Sequence, residues 1–367
     1  MNSLATGAAL PEARVCVTCV GGRLIYDILR GLRETEGMNI RILGTDMDAE
    51  AHGRLLCDNF AVVPRAEADE EAYISRLEQL HAEHGFDVLF PLSEGEARAI
   101  AQYGARLKAR GIRLSVSNIN VVAALTDKLL LMQGAEAAGI DVGPYVGVES
   151  EADARAALKD LGYPYRKIVL KPRRGAGSRG VVIVDADEAT WRPLLPNRFC
   201  GTAGIEPAFE AMAGAGFGFS GLIAVPHVDG PVYDVDCIVR NGELLDVATR
   251  LRQLRNPLWP TSTGHKLDLH LGVIGMARAL CAAFKINGAA DFDIALDAMG
   301  KPVLFDAAAR FSGSVGGSLA AGANFPGQLI RVLMDMPHKA LEIRNGTVLR
   351  PYLTMAAIPP ANEQDYL

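Results

Sequence analysis

The chain has 367 residues, 49% hydrophobic and 22% charged, with a formal net charge of -6. That length predicts two or three domains rather than one core, and the composition excludes a disordered or fibrous chain. The negative balance gives nonspecific nucleic-acid binding no support, and there is no apolar run of 18 residues to span a membrane.

Met1 to Leu10 lacks the basic start and long apolar run of a secretion signal. The six cysteines are scattered, as expected of reduced thiols in a cytoplasmic protein. Cys16 and Cys19 form a C-x-x-C inside an apolar run, Val15 to Val20, that reads as a buried strand. Residues three apart on a strand point to opposite faces, so a shared redox or metal role is not expected.

The first third alternates strands and helices. The strand Val15–Val20 ends in Gly21-Gly22, and a helix with an apolar face at Leu24, Ile28, Leu29 and Leu32 follows. A strand over Asn39–Gly44, a helix over Tyr73–His84, a strand over Val88–Phe90 and a helix over Ala97–Arg110 come next. This β-α order predicts a parallel sheet with helices on both faces and ligands at the carboxyl ends of its strands. Gly21-Gly22, Asp46, Asp48 and Ser93-Glu94-Gly95-Glu96 are therefore candidates for one cleft; for each acid alone, helix capping is the competing explanation.

Past residue 145 a helix (Glu149–Leu161) precedes a hairpin of two strands, Lys167–Leu170 and Val181–Val184, around a glycine-rich loop. A Gly/Ala stretch over 201–221 reads as mobile or tightly packed. Strands then return at Gly221–Val228, Val232–Arg240 and Glu243–Arg250. A helix over Leu269–Phe284 and strands Ala289–Leu296 and Pro302–Asp306 complete the pattern.

The loop Lys171-Pro-Arg-Arg-Gly-Ala-Gly-Ser-Arg-Gly180 carries the most specific signal. Gly175, Gly177 and Gly180 between two strands let backbone N–H groups close around phosphate oxygens. Lys171 supplies a point charge for the same phosphates, and Arg173, Arg174 and Arg179 add more. The loop lacks the G-x-x-x-x-G-K-[ST] pattern and following helix of a P-loop. Alternation puts Arg250 and Arg252 on one strand face, where two guanidinium groups suit an anionic substrate; a solvated edge, with Arg255 beyond it, is the alternative. His265 and His270 read as loop or helix-start residues, and His81 and His84 as surface residues without a third ligand.

Lys-Pro-x-x-Gly-x-Gly-Ser-Arg-Gly-Val resembles the phosphate loop of the ATP-grasp superfamily, in the branch of the carbamoyl-phosphate synthase large chain. Asp127-Lys128, Gly139-Ile140 to Pro144, Asp306-x-x-x-Arg310-Phe-Ser312-Gly313-Ser and Ala321-Gly-Ala-Asn324-x-Pro326 match further family segments in order, over roughly 13–335. The resemblance implies an N-terminal Rossmann-like α/β domain (1–125), a small lid subdomain (126–220), an antiparallel-sheet subdomain with metal carboxylates (221–345) and a C-terminal tail (346–367).

It also implies ATP and Mg²⁺ as cofactors. ATP would meet Lys128, Lys171, Gly175, Gly177, Ser178, Arg179 and Gly180, with adenine along Val225, His227 and Val228. Asp293 and Asp306 would hold metal. Arg310 and Lys171 would be catalytic, and Ser312, Gly313 and Asn324 would face substrate; the strand face and the cleft read above add Arg250 as catalytic and Arg252 and Glu94 as substrate-facing. The implied reaction is ATP-dependent ligation of a small-molecule carboxylate to an amine through an acyl phosphate, in amino-acid or specialised metabolite biosynthesis, by a small stand-alone enzyme. A homodimer is implied; neither nucleic acid nor membrane is an expected partner. Four positions depart from the family. Asp306 replaces Glu and Ala308 replaces Asn; Pro226 and Val232 replace adenine-side Glu residues, leaving Asp229 or Asp234 for the ribose. These departures keep open a catalytically degenerate nucleotide-binding protein or a small-molecule kinase.

Overall fold

The computed structural model describes residues 10–22, 25–175, 177–195, 197–252 and 264–350. Three sheets organise them. The first holds β1 (Glu12–Thr18), β2 (Asn39–Asp46), β3 (Asn59–Val62), β4 (Val88–Phe90) and β5 (Arg113–Leu114), all parallel, in the order β3-β2-β1-β4-β5. The helices α1 (Ile25–Arg33), α2 (Glu70–His84), α3 (Glu94–Gln102) and α4 (Gly104–Lys108) connect or flank these strands. This is the expected parallel sheet, with two differences. The helix expected over 97–110 begins at Glu94, because Ser93 caps it, and breaks at Tyr103. Strand β1 stops at Thr18, and Cys19 sits beyond its end in a left-handed conformation (φ 55°).

Two helices, α5 (Ile119–Thr126) and α6 (Lys128–Ala137), lead to the second sheet. It contains β6 (Val146–Val148), β7 (Ile168–Pro172), β8 (Val181–Val184), β9 (Arg192–Pro193), β10 (Cys200–Ala203) and β11 (Leu222–Pro226). The pairing is antiparallel except between β8 and β10. Helices α7 (Glu151–Asp160) and α8 (Ile205–Gly214) cover it. Most of the Gly/Ala stretch is thus ordered: β10 and α8 account for it, because Ala203, Ala208, Phe209 and Met212 are buried in this unit's core. Strand β11 pairs with β7, so the sheet runs past the boundary expected at 220.

The third sheet is antiparallel: β12 (Val232–Arg240), β13 (Glu243–Arg252), β14 (His265–Leu267), β15 (Gly288–Leu296), β16 (Pro302–Ala308) and β17 (Val348–Leu349). Helices α9 (Leu271–Phe284), α10 (Gly317–Ala320) and α11 (Phe325–Leu333) accompany it. Strand β17 lies in the expected tail; Arg255 and residues 351–367 lie outside the described residues.

Packing separates these units unequally. The second sheet buries its own cluster around Leu158, Ile168, Leu170 and Val184. The first and third sheets share two clusters, one joining Leu89 and Val122 to Val235 and Phe292, the other joining Leu29 and Ile42 to Phe311 and Leu329. A lid with a separate core can open at less cost than a part of a common core.

Alternation then decides where charge collects. On β12, β13, β15 and β16 every second residue is polar or charged: Asp234, Asp236, Arg250, Arg252, Asp291, Asp293 and Asp306. The intervening Val235, Cys237, Phe292 and Ile294 are buried. Successive side chains of a strand point to opposite faces, so the sheet presents one apolar and one ionised face.

Candidate functional site

The glycine-rich loop folds as its glycines require. Gly175, Gly177, Ser178 and Gly180 all have φ between +61° and +114°. A Cβ on Gly180 would come within 2.8 Å of the Pro172 ring and 2.9 Å of Phe217, so a larger residue fits there neither sterically nor in backbone angle. The loop is tied to α6: the Lys128 backbone N–H donates to Arg173 O (2.8 Å) and its ammonium to Gly175 O (2.9 Å). Asp127 caps α6 by accepting from Leu129 N and accepts from Arg173 at 2.9 and 3.0 Å. It also pairs with Arg174 (3.2 Å). This corrects the expectation for two of the arginines: Arg173 and Arg174 neutralise Asp127, and Arg179 is the loop arginine that lines the cavity beneath.

That cavity lies between the second and third sheets. It is lined by Lys128, Lys171, Gly175, Gly177, Ser178 and Arg179, by Val225, His227 and Val228 at and beyond the end of β11, and by Asp293 and Asp306. Its apolar end consists of Val169, Ile183, Val225, Val228 and Ala295. Gly180, expected among the phosphate-binding residues, lines neither this cavity nor the polar one beside it. Lys171 is buried and donates to Phe305 O (2.6 Å). Burial, and secondarily Lys128, pull its ammonium down to about 8 against the opposing pull of Asp306 and Asp293. Neither carboxylate considered for the ribose is unpaired there. Asp229 is exposed and pairs with His227 (3.1 Å), while Asp234 is held by Arg252 and by His265 Nε2 (2.7 Å).

A second, polar cavity opens from the first. Glu94 and Thr126 enter from the N-terminal part, and Arg252, Asp291, Asp293, Asp306, Arg310, Ser312, Gly313 and Ser314 from the third sheet and its following loop. The two cavities share Lys128, Gly175, Gly177, Arg252, Asp293 and Asp306 as a seam. Glu94 is the cleft acid that reaches it. Asp46 instead accepts from Gly21 N (2.7 Å), and Glu96 from Thr18 Oγ1 (2.6 Å) and Ser93 Oγ (2.8 Å), tying strand ends together. Burial raises the Glu94 carboxyl, with Arg310 opposing and Asp306 reinforcing.

The charged face of the third sheet forms the seam's floor. Asp293 and Asp306 are register partners on β15 and β16. Asp306 pairs with Lys128 (3.2 Å); Asp293 accepts from Arg252 (2.5 Å). Burial raises Asp293 to about 6, with Asp234 and Asp306 adding to it and Arg252 opposing. Among the described residues no three metal-ligating side chains converge into a ready-made cage. The donor set is nevertheless hard: carboxylate oxygens lining the same cavity as Lys171 and the glycine-rich loop, of the kind that hold Mg²⁺ when phosphate and water complete its shell.

Two expected site residues lie elsewhere. Asn324 lines neither cavity; it caps α11 by accepting from Gly327 N (3.0 Å) and donates to Gly31 O (2.7 Å), joining α11 to α1. Arg250 is wholly buried behind the seam. It is ion-paired with Asp236 and donates to Ser312 Oγ (2.6 Å), Ser314 O (2.9 Å) and Ser314 Oγ (2.5 Å). It positions the Ser312–Ser314 loop and lines neither cavity. Three residues were missed by sequence reasoning. His265, expected as a loop residue, is a buried strand residue on Asp234; Asp291 lines the polar cavity; Thr126 reaches it from α5. The signal for Asp291 was present in the alternation Asp291-Phe292-Asp293.

Comparison with known proteins agrees with this architecture. Residues 218–353 match the family described as ATP-grasp in the biosynthetic pathway with Ter operon. A search of curated proteins gave no match. Among solved structures, N5-carboxyaminoimidazole synthetase from Staphylococcus aureus, complexed with ADP, superposes with a TM-score of 0.69 at 15% identity, over 96% of this chain and 85% of that one. An L-amino acid ligase from Bacillus licheniformis gives 0.62 at 16% identity over 88% and 74%. The biotin carboxylase domain of a Hydrogenobacter thermophilus 2-oxoglutarate carboxylase gives 0.65 at 16% over 91% and 73%. At such identities the likeness is one of fold. The three-sheet architecture is thus the fold of these structures, and over the third sheet the chain resembles an ATP-grasp family.

Proposed function

We propose that the protein is an ATP-dependent ligase joining a small-molecule carboxylate to an amine. The observation that carries this reading is the seam. An apolar-ended cavity under a phosphate loop opens directly into a polar cavity, and the residues common to both are the lysine, arginine and aspartates suited to a transferring phosphoryl group. In this reading ATP lies with its base along Val225–Val228 and its phosphates against Lys128, Lys171 and Arg179. The substrate carboxylate, oriented by Arg310 and the Ser312–Ser314 loop, attacks the γ-phosphorus, and the bond to ADP breaks. The amine then attacks the acyl carbon, phosphate leaves, and Glu94 is placed to accept the amine's proton. Asp293 and Asp306 would hold Mg²⁺, which supplies charge neutralisation to the phosphates. The lid's separate core lets the glycine loop close and keep water from the acyl phosphate.

Incubating the protein with ATP, Mg²⁺ and pairs of amino acids or other small carboxylates and amines, with phosphate release as readout, tests the reaction. Release that requires both partners is expected. ADP formation with a carboxylate or alcohol alone would identify a kinase instead. Nucleotide binding without turnover on any pair would favour a degenerate domain, and no thermal shift with ATP would overturn the nucleotide reading itself.

Lys171 makes nucleotide affinity depend on pH in a defined direction. The phosphates prefer its charged form, and the free protein loses that proton near pH 8. Affinity should therefore be full below pH 8 and fall above it, by about tenfold per pH unit until the bound-state pKa is passed. Titrating ADP binding between pH 7 and 9.5 reads this directly. Lys171→Arg should flatten the profile, because a guanidinium stays charged throughout. A wild-type profile that is already flat would show that Lys171 does not touch phosphate.

A further inference from the structure

Five carboxylates share the charged face of the third sheet. Asp234 is paired with Arg252 and His265, Asp236 with Arg250, Asp293 with Arg252 and Asp306 with Lys128. Asp291 is the exception. It forms no hydrogen bond or ion pair with the described residues, and its Oδ1 atom is buried without a partner, although the residue lines the polar cavity. A carboxylate kept partnerless in such surroundings is costly unless something cationic reaches it.

Its position on the ladder is informative. Asp291 stands directly across β15–β16 from Ala308, as Asp293 stands across from Asp306. Directly opposed residues on adjacent strands have Cβ atoms about 5 Å apart and side chains on the same face. Residue 308 contributes only a methyl, so the space above it is within reach of the Asp291 carboxylate. Asp291, Asp293 and Asp306 thus occupy three corners of one rectangle whose fourth corner is Ala308. Two of the three are held by Lys128 and Arg252, cations that phosphate would draw toward itself.

We propose that Asp291 is a ligand for a divalent cation at this seam, filling from across the ladder the coordination place that Ala308 cannot. The proposal rests on the nucleotide reading above, because phosphate is what releases Asp306 from Lys128 and completes the ion's shell. An amine docking on Asp291 is the rival occupant, and the test separates the two.

Mn²⁺ binding is measured by the spin-resonance signal of the free ion, with the full chain saturated by a non-hydrolysable ATP analogue. Asp291→Asn should weaken Mn²⁺ binding at least about tenfold while analogue binding, followed by thermal shift, stays intact. Without nucleotide the same variant should melt at or above the wild-type temperature, since no cation in the free protein depends on the carboxylate. Asp291→Ala combined with Ala308→Asn should recover Mn²⁺ affinity that Asp291→Ala alone loses. Unchanged Mn²⁺ affinity in Asp291→Asn overturns the proposal, and a raised KM for the amine in that background assigns Asp291 to the amine. Analogue binding by the wild type without any Mn²⁺ overturns the cation site alone; no analogue binding by the wild type overturns it together with the nucleotide reading.

Discussion

Arg250→Met is expected to destabilise the protein by about 3–5 kcal/mol, the largest stability loss of any single substitution at the site. Arg250 and Asp236 are both without solvent exposure, so no water replaces the guanidinium. The substitution leaves Asp236 charged or forces it to take up a proton, and it strips Ser312 Oγ and two Ser314 oxygens of their donor. Desolvation penalises each of these separately. Adding Asp236→Asn should recover a substantial part, because the amide oxygen can still accept from Ser312 N (3.0 Å) and no unpaired charge remains. Denaturant midpoints of the single and double variants check the prediction. A double variant as unstable as the single one would mean that the arginine acts through packing rather than through its charge. Because Arg250 touches the Ser312–Ser314 loop and not the cavities, the double variant should retain nucleotide affinity even where turnover falls.

The parts of this architecture that were legible in sequence share a physical cause. Period-two alternation and glycine content are local properties, and they located β4, β8 and β12 to the residue and the phosphate loop between β7 and β8. Lys171 and Arg179 were readable for the same reason, since they flank the same glycines in sequence, whereas Lys128 was expected only from the family resemblance. What sequence could not supply was partnership between distant segments. Arg250 looked like a substrate arginine until Asp236 and Ser312 proved to surround it, and Arg173 and Arg174 looked like phosphate ligands until Asp127 took both. Asn324 lay inside a family-like segment, yet its side chain is spent on capping α11 and bonding to α1. Helix starts were missed where a cap rather than hydrophobic periodicity decides them, as at Ser93 and Asp69. Alternation put Asp291 on the same face as Asp293, but its place opposite Ala308 is a fact of register that no single strand carries.

Replacing Arg310 should produce the largest loss of chemistry. Arg310 lines the polar cavity with Glu94, Ser312 and Gly313, and it lines no part of the first cavity. Its Nη1 donates to Phe311 O (2.7 Å), which leaves the other guanidinium nitrogens to face the cavity. A cation there can hold a carboxylate in line with the γ-phosphorus and neutralise charge as the phosphoryl group moves. Arg310→Ala should therefore lower the rate of amine-dependent phosphate release by about a thousandfold, in the range found when one charge-stabilising donor is deleted. Nucleotide affinity should change by less than about threefold, because in the proposed reading the phosphates lie against Lys128, Lys171 and Arg179. How the loss divides between kcat and KM shows when the guanidinium acts. A raised KM for the carboxylate at constant kcat would mean that Arg310 only docks the substrate. A fall in kcat at constant KM would place its contact in the transition state, and Arg310→Lys should then rescue little, since an ammonium keeps the charge but loses the fork. If ADP affinity collapsed together with turnover, Arg310 would belong to the nucleotide site, and the polar cavity would have to bind its carboxylate through Arg252 instead.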